Sequence, residues 1–256
     1  MMKSWTADLG ASFGFLTRLP MPAGLPFVPL SEAMRAFPLA GAAIGAVSGL
    51  ALAALAALGL PALVAAGLML AALALLTGAL HEDGLADTAD GFGGGEDRPA
   101  KLAIMRDSHI GTYGVLALVL GVLIKAASLA TVATGPWLYT VALLAASGAF
   151  SRALIVWLMA STPPARSDGV AHAAGQPSDF TARSAILLGG ILAFFLIIMT
   201  GGLVPALVVV GAGAAAAVAF RSLAMRQIGG HSGDICGALQ FVTETLMIAT
   251  AAATLP

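Results

Sequence analysis

Residues 36–80 read AFPLAGAAIGAVSGLALAALAALGLPALVAAGLMLAALALLTGAL and contain no charged side chain. An α-helix needs on the order of 20 apolar residues to cross the hydrocarbon core of a bilayer, so this stretch is long enough to cross it twice. Gly59, Leu60 and Pro61 interrupt it near the middle, where a chain turns readily. The stretch therefore predicts two membrane-spanning helices joined by a short turn.

The same pattern recurs twice further along the chain. Helical hairpins are predicted at 112–160 and 184–220, with breaks near residues 135 and 201. With a last span that runs towards Pro256, the sequence predicts an all-α fold, a polytopic transmembrane helical bundle of about seven spans. We expect one integral membrane domain, 1–256. Its predicted cytoplasmic loops are 81–111, 161–183 and 221–236.

The overall composition supports a membrane protein. Of the 256 residues, 59% are hydrophobic and only 10% are charged, whereas about a quarter of the residues of a soluble domain are charged. The single cysteine, Cys236, excludes an intramolecular disulfide and a cysteine-based zinc site. Lys3, Asp8 and Arg18 precede the first long apolar run, which is not typical of a cleaved signal peptide.

Nearly all of the lysines and arginines lie in alternate connections between the spans. The turns near 59–61, 134–137 and 201–203 hold no lysine or arginine. Since basic loops stay in the cytoplasm, the charged segments are predicted to lie together on the cytoplasmic face of the membrane. Acids contribute little to orientation, so their presence on the same face predicts an active site there. These acids are Glu82, Asp83, Asp87, Asp90, Asp107 and Asp234.

The first motif that could carry chemistry is HEDGLADTADG, residues 81–91. On a continuous helix, Asp83, Asp87 and Asp90 share one face. Two carboxylates about 5 Å apart repel by roughly 3 kcal/mol at an effective dielectric near 20, so the cluster requires cations. Hard oxygen ligands favour Mg²⁺, with Mn²⁺ as the alternative, over zinc. Glu82 lies off this face and is a weaker metal candidate. The alternative is a solvated acidic helix end.

The second motif is IMRDSHIGTYG, residues 104–114. Arg106 could hold a phosphate with two parallel hydrogen bonds, and backbone N–H groups near Gly111 and Gly114 would favour an anion at a helix N-terminus. His109 could contact the substrate and Asp107 could accept a proton. A membrane-interface anchor is the alternative for Arg106, and an ordinary polar contact is the alternative for His109.

The third motif is GGHSGDICGA, residues 229–238. Asp234 could complete a metal shell or hold the nucleophile, and the alternative is a helix N-cap. Gly230 and Gly233 are candidate substrate-binding positions. Glu244 lies further along the same apolar run, where an acid normally faces the bundle interior.

Three basic residues, Arg18, Lys125 and Arg152, lie within or beside apolar runs. A charge at the centre of a membrane helix costs about 2.5–3.5 kcal/mol on insertion scales. We therefore expect Lys125 and Arg152 to point inward, towards acids or an anionic ligand, and all three are candidate substrate-binding residues. Snorkelling along the helix is the alternative.

Together these motifs resemble the cobalamin synthases, also called adenosylcobinamide-GDP ribazoletransferases. The resemblance runs from FLTRLPMP near the start, through HEDGLADTADGFGGG and IMRDSHIGTYG with Lys125 downstream, to GGHSGDICGA. It covers most of the chain. It implies an integral inner-membrane enzyme that joins α-ribazole, or its 5′-phosphate, to adenosylcobinamide-GDP and releases GMP with Mg²⁺ as cofactor.

The resemblance also implies roles for individual residues. The acidic motif of the family maps onto Asp83, Asp87 and Asp90 as metal ligands. Our own hypothesis for the mechanism is that a ribose hydroxyl attacks the phosphorus on the cobinamide side and that Asp107 or Asp234 accepts its proton. We expect the lipid bilayer and the two small-molecule substrates as partners and no nucleic acid; homo-oligomerisation and the choice between nucleoside and nucleotide acceptor stay open.

Other classes of membrane protein remain as alternatives. Residues 87–91, DTADG, look like the first half of the signature of the lipid-forming CDP-alcohol phosphotransferases, but the second half is missing. An ion-coupled transporter would carry its acids near the midplane of the membrane rather than at the ends of spans. A structural scaffold would not need three motifs that combine glycine with acids.

Overall fold

The computed structural model describes residues 4–254, and the regular elements in this part of the chain are all helical. The helices are α1 (Trp5–Leu16), α2 (Leu30–Ala33), a 3₁₀ turn (Met34–Ala36), α3 (Phe37–Ala57), α4 (Ala62–Thr77), α5 (Leu80–Gly94), α6 (Arg98–Ile104), α7 (Thr112–Val132), α8 (Trp137–Ser161), α9 (Gly169–Ala174), α10 (Asp179–Gly201), α11 (Leu203–Ile228) and α12 (Gly233–Thr254). The predicted all-α class is confirmed.

Six of the described helical segments are long and apolar enough to cross a membrane, and α4 with α5 would make a seventh span if that bent pair counts as one. The others are α3 with the short turns before it, α7, α8, α10, α11 and α12. The predicted count of about seven spans is therefore confirmed. The three predicted turns are also found, between α3 and α4, between α7 and α8, and between α10 and α11.

Helix α8 lies at the centre of the bundle, with 89% of its most apolar window buried. It packs closely against α3 because glycines on both helices remove the side chains that would separate them. A Cβ added at Gly49 would stand 2.7 Å from Val141 Cα, and one at Gly148 would stand 3.1 Å from the carbonyl carbon of Gly41. Small residues allow this kind of close helix contact where lipid gives no hydrophobic driving force for association.

The charged segments meet at one end of the bundle. Arg98 Nη2 donates to the carbonyl oxygen of Ala165 at 2.9 Å, and Lys101 donates to Gln227. The backbone N–H of His231 donates to Pro163 at 2.9 Å. These contacts join segments more than 60 residues apart in sequence, so the predicted clustering of charged segments on one face has a structural basis.

The predicted loops are more helical than expected. α5 and α6 occupy most of 81–111, α9 lies in 161–183, and α11 continues into 221–236 as far as Ile228. α6 begins where Asp97 Oδ1 accepts a hydrogen bond from the backbone N–H of Ala100 at 2.9 Å, with Pro99 in the first turn. An aspartate N-cap followed by proline is a strong signal for the start of a helix. The segment was nevertheless predicted to be a loop because it is polar.

The N-terminal helix α1 was also not predicted, because its 12 residues are too few to cross a membrane. It is attached to the bundle by a buried ion pair. Asp8 is 1% exposed and its Oδ2 lies 2.5 Å from Arg35 Nη2, while the Arg35 guanidinium stacks over Trp5 at 4.4 Å.

Candidate active site

A sharp bend between α4 and α5 positions the first acidic motif. α4 ends at Thr77, and Gly78 and Ala79 follow with φ angles of 68° and 56°. This left-handed conformation is easy for glycine and uncommon for alanine. The two helix axes differ by 91°, so α5 runs roughly at right angles to α4.

Arg18 lies at this bend. Its backbone N–H donates to the carbonyl oxygen of Leu76 at 2.8 Å, and its guanidinium carbon would lie 3.0 Å from a Cβ added at Gly78. The side chain is exposed. The predicted substrate contact of Arg18 stays a prediction, since the structure places it against the backbone of the bend.

Helix α5 contacts α12 through a pair of glycines. A Cβ at Gly84 would stand 2.7 Å from the carbonyl oxygen of Asp234, and one at Gly237 would stand 3.3 Å from Gly84 Cα. The two backbones are therefore in direct contact. This contact brings the first and third motifs together, although they are about 150 residues apart in sequence.

Four carboxylates lie near one another where these helices meet. Asp87 is half-buried and is repelled by the charges of Asp83, Asp234 and Asp90, while the charge of Arg166 attracts it. Arg166 Nη2 lies 3.4 Å from Asp234 Oδ2. Repulsion among several carboxylates beside one guanidinium favours a bound cation or a protonated acid.

Asp90 is engaged differently from the other two acids of its motif. Its Oδ2 accepts from the backbone N–H of Gly111 at 2.7 Å, and its Oδ1 accepts from that of Gly114 at 2.8 Å. The carboxylate is buried, 7% exposed, at the N-terminus of α7. The three aspartates were expected to act as one group and the glycine N–H groups to hold phosphate. Instead, these N–H groups bind the carboxylate of Asp90, because the N-terminus of a helix favours a negative charge.

The loop between α6 and α7 is exposed. Arg106 Nη2 pairs with Asp168 Oδ1 at 2.8 Å, and this pair links the loop to the segment that carries Arg166. His109 Nδ1 lies 2.6 Å from Asp107 Oδ1, and the His109 backbone N–H also donates to that oxygen at 3.0 Å. These hydrogen bonds lower the pKa of the Asp107 carboxyl below its usual value. The substrate and catalytic roles predicted for this loop stay predictions.

Lys125, Arg152 and Glu244 form a buried charge cluster among α7, α8 and α12. Lys125 Nζ lies 2.5 Å from Glu244 Oε2, and Arg152 Nη1 lies 3.3 Å from Glu244 Oε1. The exposed fractions are 3% for Lys125, 2% for Arg152 and 7% for Glu244. The prediction that the two cations point inward towards an acid, and that Glu244 faces the interior, is confirmed. Neither cation lines the cleft described below, so a substrate contact by either has no support in this arrangement.

The remaining predicted positions differ in their surroundings. Glu82 is half-buried and its Oε2 is enclosed without a hydrogen-bond partner. A Cβ at Gly230 would stand 3.1 Å from the backbone nitrogen of Ala165. The backbone of the loop that carries Ala165 therefore packs directly against Gly230. The N-cap alternative for Asp234 is wrong: the Oγ of Ser232 accepts from the backbone N–H of Ile235 at 3.3 Å and caps α12.

A cleft of about 140 Å³ opens beside the acids. Asp83, Asp234 and Gly233 line its charged side, and side chains such as Phe37 and Met159 line its apolar side. Two further lining residues, His81 and Arg166, were not singled out from the sequence. These charged groups come from α5, from the loop before α9 and from the start of α12. There was one signal for Arg166 in the sequence, which is that it lies in a charged segment. Its contact with the other segments depends on the tertiary fold.

The comparison with known protein families decides the assignment. Residues 8–252 match the model of the cobalamin-5-phosphate synthase family. The chain belongs to this family. The matched region includes the whole cleft and the buried charge cluster, and no solved structure matches the chain.

Curated relatives of this cobalamin-5-phosphate synthase family cover nearly the whole chain. A Sinorhizobium protein is 46% identical, with 96% of each chain covered, and an Azorhizobium caulinodans protein is 47% identical, with 93% of this chain and 92% of that protein covered. A Bradyrhizobium diazoefficiens protein is 43% identical over 251 residues. All three carry the name adenosylcobinamide-GDP ribazoletransferase. Family membership favours the cobalamin synthase interpretation over the transporter, scaffold and CDP-alcohol alternatives.

Proposed function

We propose that the protein transfers the cobinamide-phosphate moiety of adenosylcobinamide-GDP onto α-ribazole, or onto its 5′-phosphate, in a late step of vitamin B12 synthesis. A hydroxyl oxygen of the acceptor forms a bond to the phosphorus on the cobinamide side. The bond from that phosphorus to the bridging oxygen breaks, and GMP leaves. The family membership and the names of the relatives support this reaction.

The observation that carries the proposal is the charged side of the cleft. Asp83, Asp234 and Arg166 come from three segments of the chain and meet at an opening lined otherwise mostly by apolar groups. Arg166 Nη1 is buried without a hydrogen-bond partner, so the guanidinium has donor capacity left for a phosphate oxygen. A guanidinium suits this contact because it can grip a phosphate with two parallel hydrogen bonds.

Magnesium is part of the proposal, and the available donors are chemically suited to it. Between residues 4 and 254, no three His, Cys, Asp or Glu side chains are arranged as ligands of one metal ion. Mg²⁺ in phosphoryl-transfer sites, however, usually takes one or two carboxylates and completes its shell with water and substrate phosphates. Asp83 and Asp87 would hold it, and their mutual repulsion agrees with a cation site. When bound, the metal supplies positive charge to the diphosphate.

Asp234 is the better placed of the two predicted proton acceptors. It lines the cleft, where Ser232 Oγ donates to its Oδ2 at 3.2 Å. Asp107 is exposed, hydrogen-bonded to His109 and does not line the cleft. Its lowered pKa also makes it a weaker base. We therefore assign the acceptor hydroxyl proton to Asp234.

The same proposal places the protein in the cell inner membrane with the cleft facing the cytoplasm. Arg166 lines the cleft, and Arg98 and Arg106 contact Ala165 and Asp168 in the same loop. Basic segments next to spans are retained on the cytoplasmic side. Single cysteines at residues 97 and 59 would test this orientation in intact cells. A thiol reagent that cannot pass the inner membrane should label residue 59 and leave residue 97 unlabelled.

The reaction is tested by GMP release from purified protein in vesicles. We expect GMP only when adenosylcobinamide-GDP, α-ribazole and Mg²⁺ are all present, together with the joined corrinoid product. GMP release that does not require α-ribazole would indicate hydrolysis and would contradict the proposal, as would failure of folded protein to release GMP at all.

A further inference from the structure

An apolar groove adjoins the charged cleft. It lies between α1, the segment 21–31 and α9, and it has a volume of about 860 Å³. Phe15, Val170 and Ala174 line both the groove and the cleft. The two are therefore parts of one continuous surface, with the charges at the cleft end.

The groove has the chemistry of a site for a large, mostly carbon ligand. None of the described residues that line it is charged, and its polar side chain is that of Ser31. Phe27, on its rim, is 91% exposed. An exposed aromatic ring beside an apolar groove is suited to stacking on a flat ligand.

The floor of the groove is partly bare backbone. Gly10 and Gly14 are one helical turn apart on α1 and both line the groove. A Cβ at Gly14 would stand 3.1 Å from Met21 Cγ, and one at Gly10 would stand 2.5 Å from Leu25 Cδ1. A side chain at either position would therefore displace Met21 or Leu25 and change the shape of the groove.

The size of the donor substrate requires more room than the cleft offers. Sites for organic ligands usually measure about 300–1,000 Å³, and the cleft measures about 140 Å³ whereas the groove measures about 860 Å³. Adenosylcobinamide-GDP has two unlike halves, a charged nucleoside diphosphate and a large corrin ring. The charged half fits the chemistry of the cleft, and the ring does not.

We propose that the groove binds the corrin ring of adenosylcobinamide-GDP and so directs the attached diphosphate into the cleft, an inference that rests on the proposed transferase function. The shared lining at Phe15 and Val170 is where the ring-bearing half would pass into the charged half. Binding energy from this remote half would then orient the phosphorus for attack.

Two groove-filling variants and one matched control test the inference. Gly14→Leu and Ala173→Phe add side chains from opposite walls of the groove. Gly67→Leu makes the same change on α4, where an added Cβ has no neighbour within 4 Å. Steady-state kinetics would use adenosylcobinamide-GDP and a GDP ester of a simple amino alcohol that lacks the corrin ring.

We expect both groove variants to raise KM for adenosylcobinamide-GDP at least about tenfold. KM for α-ribazole, and the rates with the ring-free donor, should match those of wild-type protein, which also shows that the variants are folded. Gly67→Leu should match wild type throughout. Equal effects on both donors, or no effect on either, would overturn the inference.

Equilibrium dialysis with adenosylcobinamide alone gives a readout independent of catalysis. Wild-type protein and Gly67→Leu should bind the coloured ring compound, and Gly14→Leu should bind it about tenfold more weakly. Absence of binding to wild type would contradict the inference and point to a lipid acyl chain as the occupant. If wild-type protein binds the ring compound but releases GMP from neither donor, the groove is still a binding site for the ring and the transferase function is refuted.

Discussion

Glu244 Oε2 lies 2.5 Å from Lys125 Nζ, within a cluster that also holds Arg152 and is almost completely buried. The Glu244 carboxylate thus forms ion pairs with two cations on two other helices. Removing one partner of a buried ion pair costs about 3–5 kcal/mol because the remaining charge is left uncompensated. The cluster therefore joins α7, α8 and α12.

Glu244→Gln should lower the stability of the folded protein by about 3–5 kcal/mol, since it leaves two buried cations unpaired. Lys125→Met should cost less, because Arg152 and Glu244 still form a pair. Thermal unfolding in detergent measures both, and Glu96→Gln, at an exposed position, is the matched control. A substrate-binding role for Lys125 would instead appear as a raised KM without a change in unfolding temperature.

Asp90→Ala should release the N-terminus of α7. The loss of two hydrogen bonds to the backbone N–H groups of Gly111 and Gly114 should lower stability by about 1–2 kcal/mol. Hydrogen exchange at residues 111–115 should become faster. Asp97→Ala, which removes the cap of the short exposed helix α6, should leave exchange at 111–115 unchanged. Protection there that survives Asp90→Ala would show that the carboxylate does not hold this loop.

The assignment of the proton acceptor predicts unequal effects at two aspartates. Asp234→Asn should lower kcat by about 10²–10⁴-fold, the usual contribution of a positioned base. Asp107→Asn should stay within about threefold of wild type, since this residue does not line the cleft. A large loss in Asp107→Asn together with a normal rate in Asp234→Asn would reverse the assignment.

The pH dependence of Asp107 follows from its lowered pKa. A carboxyl whose pKa is depressed in the folded state contributes stability above its unfolded pKa, about 3.9, and that contribution is lost as pH falls through the folded value. His109→Ala should therefore raise the pKa of Asp107, as carboxyl titration by NMR would measure. The change should not affect GMP release near neutral pH. An unchanged Asp107 titration would show that the hydrogen bond is not formed.

The fold could be predicted from the sequence because the bilayer constrains it strongly. Uncharged runs of 20 or more residues and the breaks near Pro61, Pro136 and Gly201 predict spans and turns that the structure contains. The 91° bend at Gly78 and Ala79 could not be predicted, because an alanine gives no signal for a left-handed conformation.

The site could be predicted only in part. Helical spacing places Asp83, Asp87 and Asp90 on one face, but it cannot show that Asp90 turns to the N–H groups of another helix. Arg166 was missed because its contact with Asp234 spans 68 residues of sequence. Pairings between distant segments depend on tertiary packing, here on the contact between Gly84 and Gly237.

Arg166→Met should lower kcat/KM for adenosylcobinamide-GDP by about 10²-fold, because the guanidinium supplies the positive side chain at the cleft mouth. Arg183→Met removes an equal charge at an exposed position that does not line the cleft and should behave as wild type. The initial rate of GMP release measures both. Equal rates for the two variants would remove Arg166 from the site.

The most direct test of the central claim is Mg²⁺-dependent GMP release by Asp83→Asn and Asp87→Asn, compared with wild type and with Glu96→Gln. The proposed site predicts losses of about 10²-fold or more in both aspartate variants at unchanged thermal stability, with Glu96→Gln equal to wild type. Wild-type rates and an unchanged Mg²⁺ requirement in folded Asp83→Asn and Asp87→Asn would contradict it.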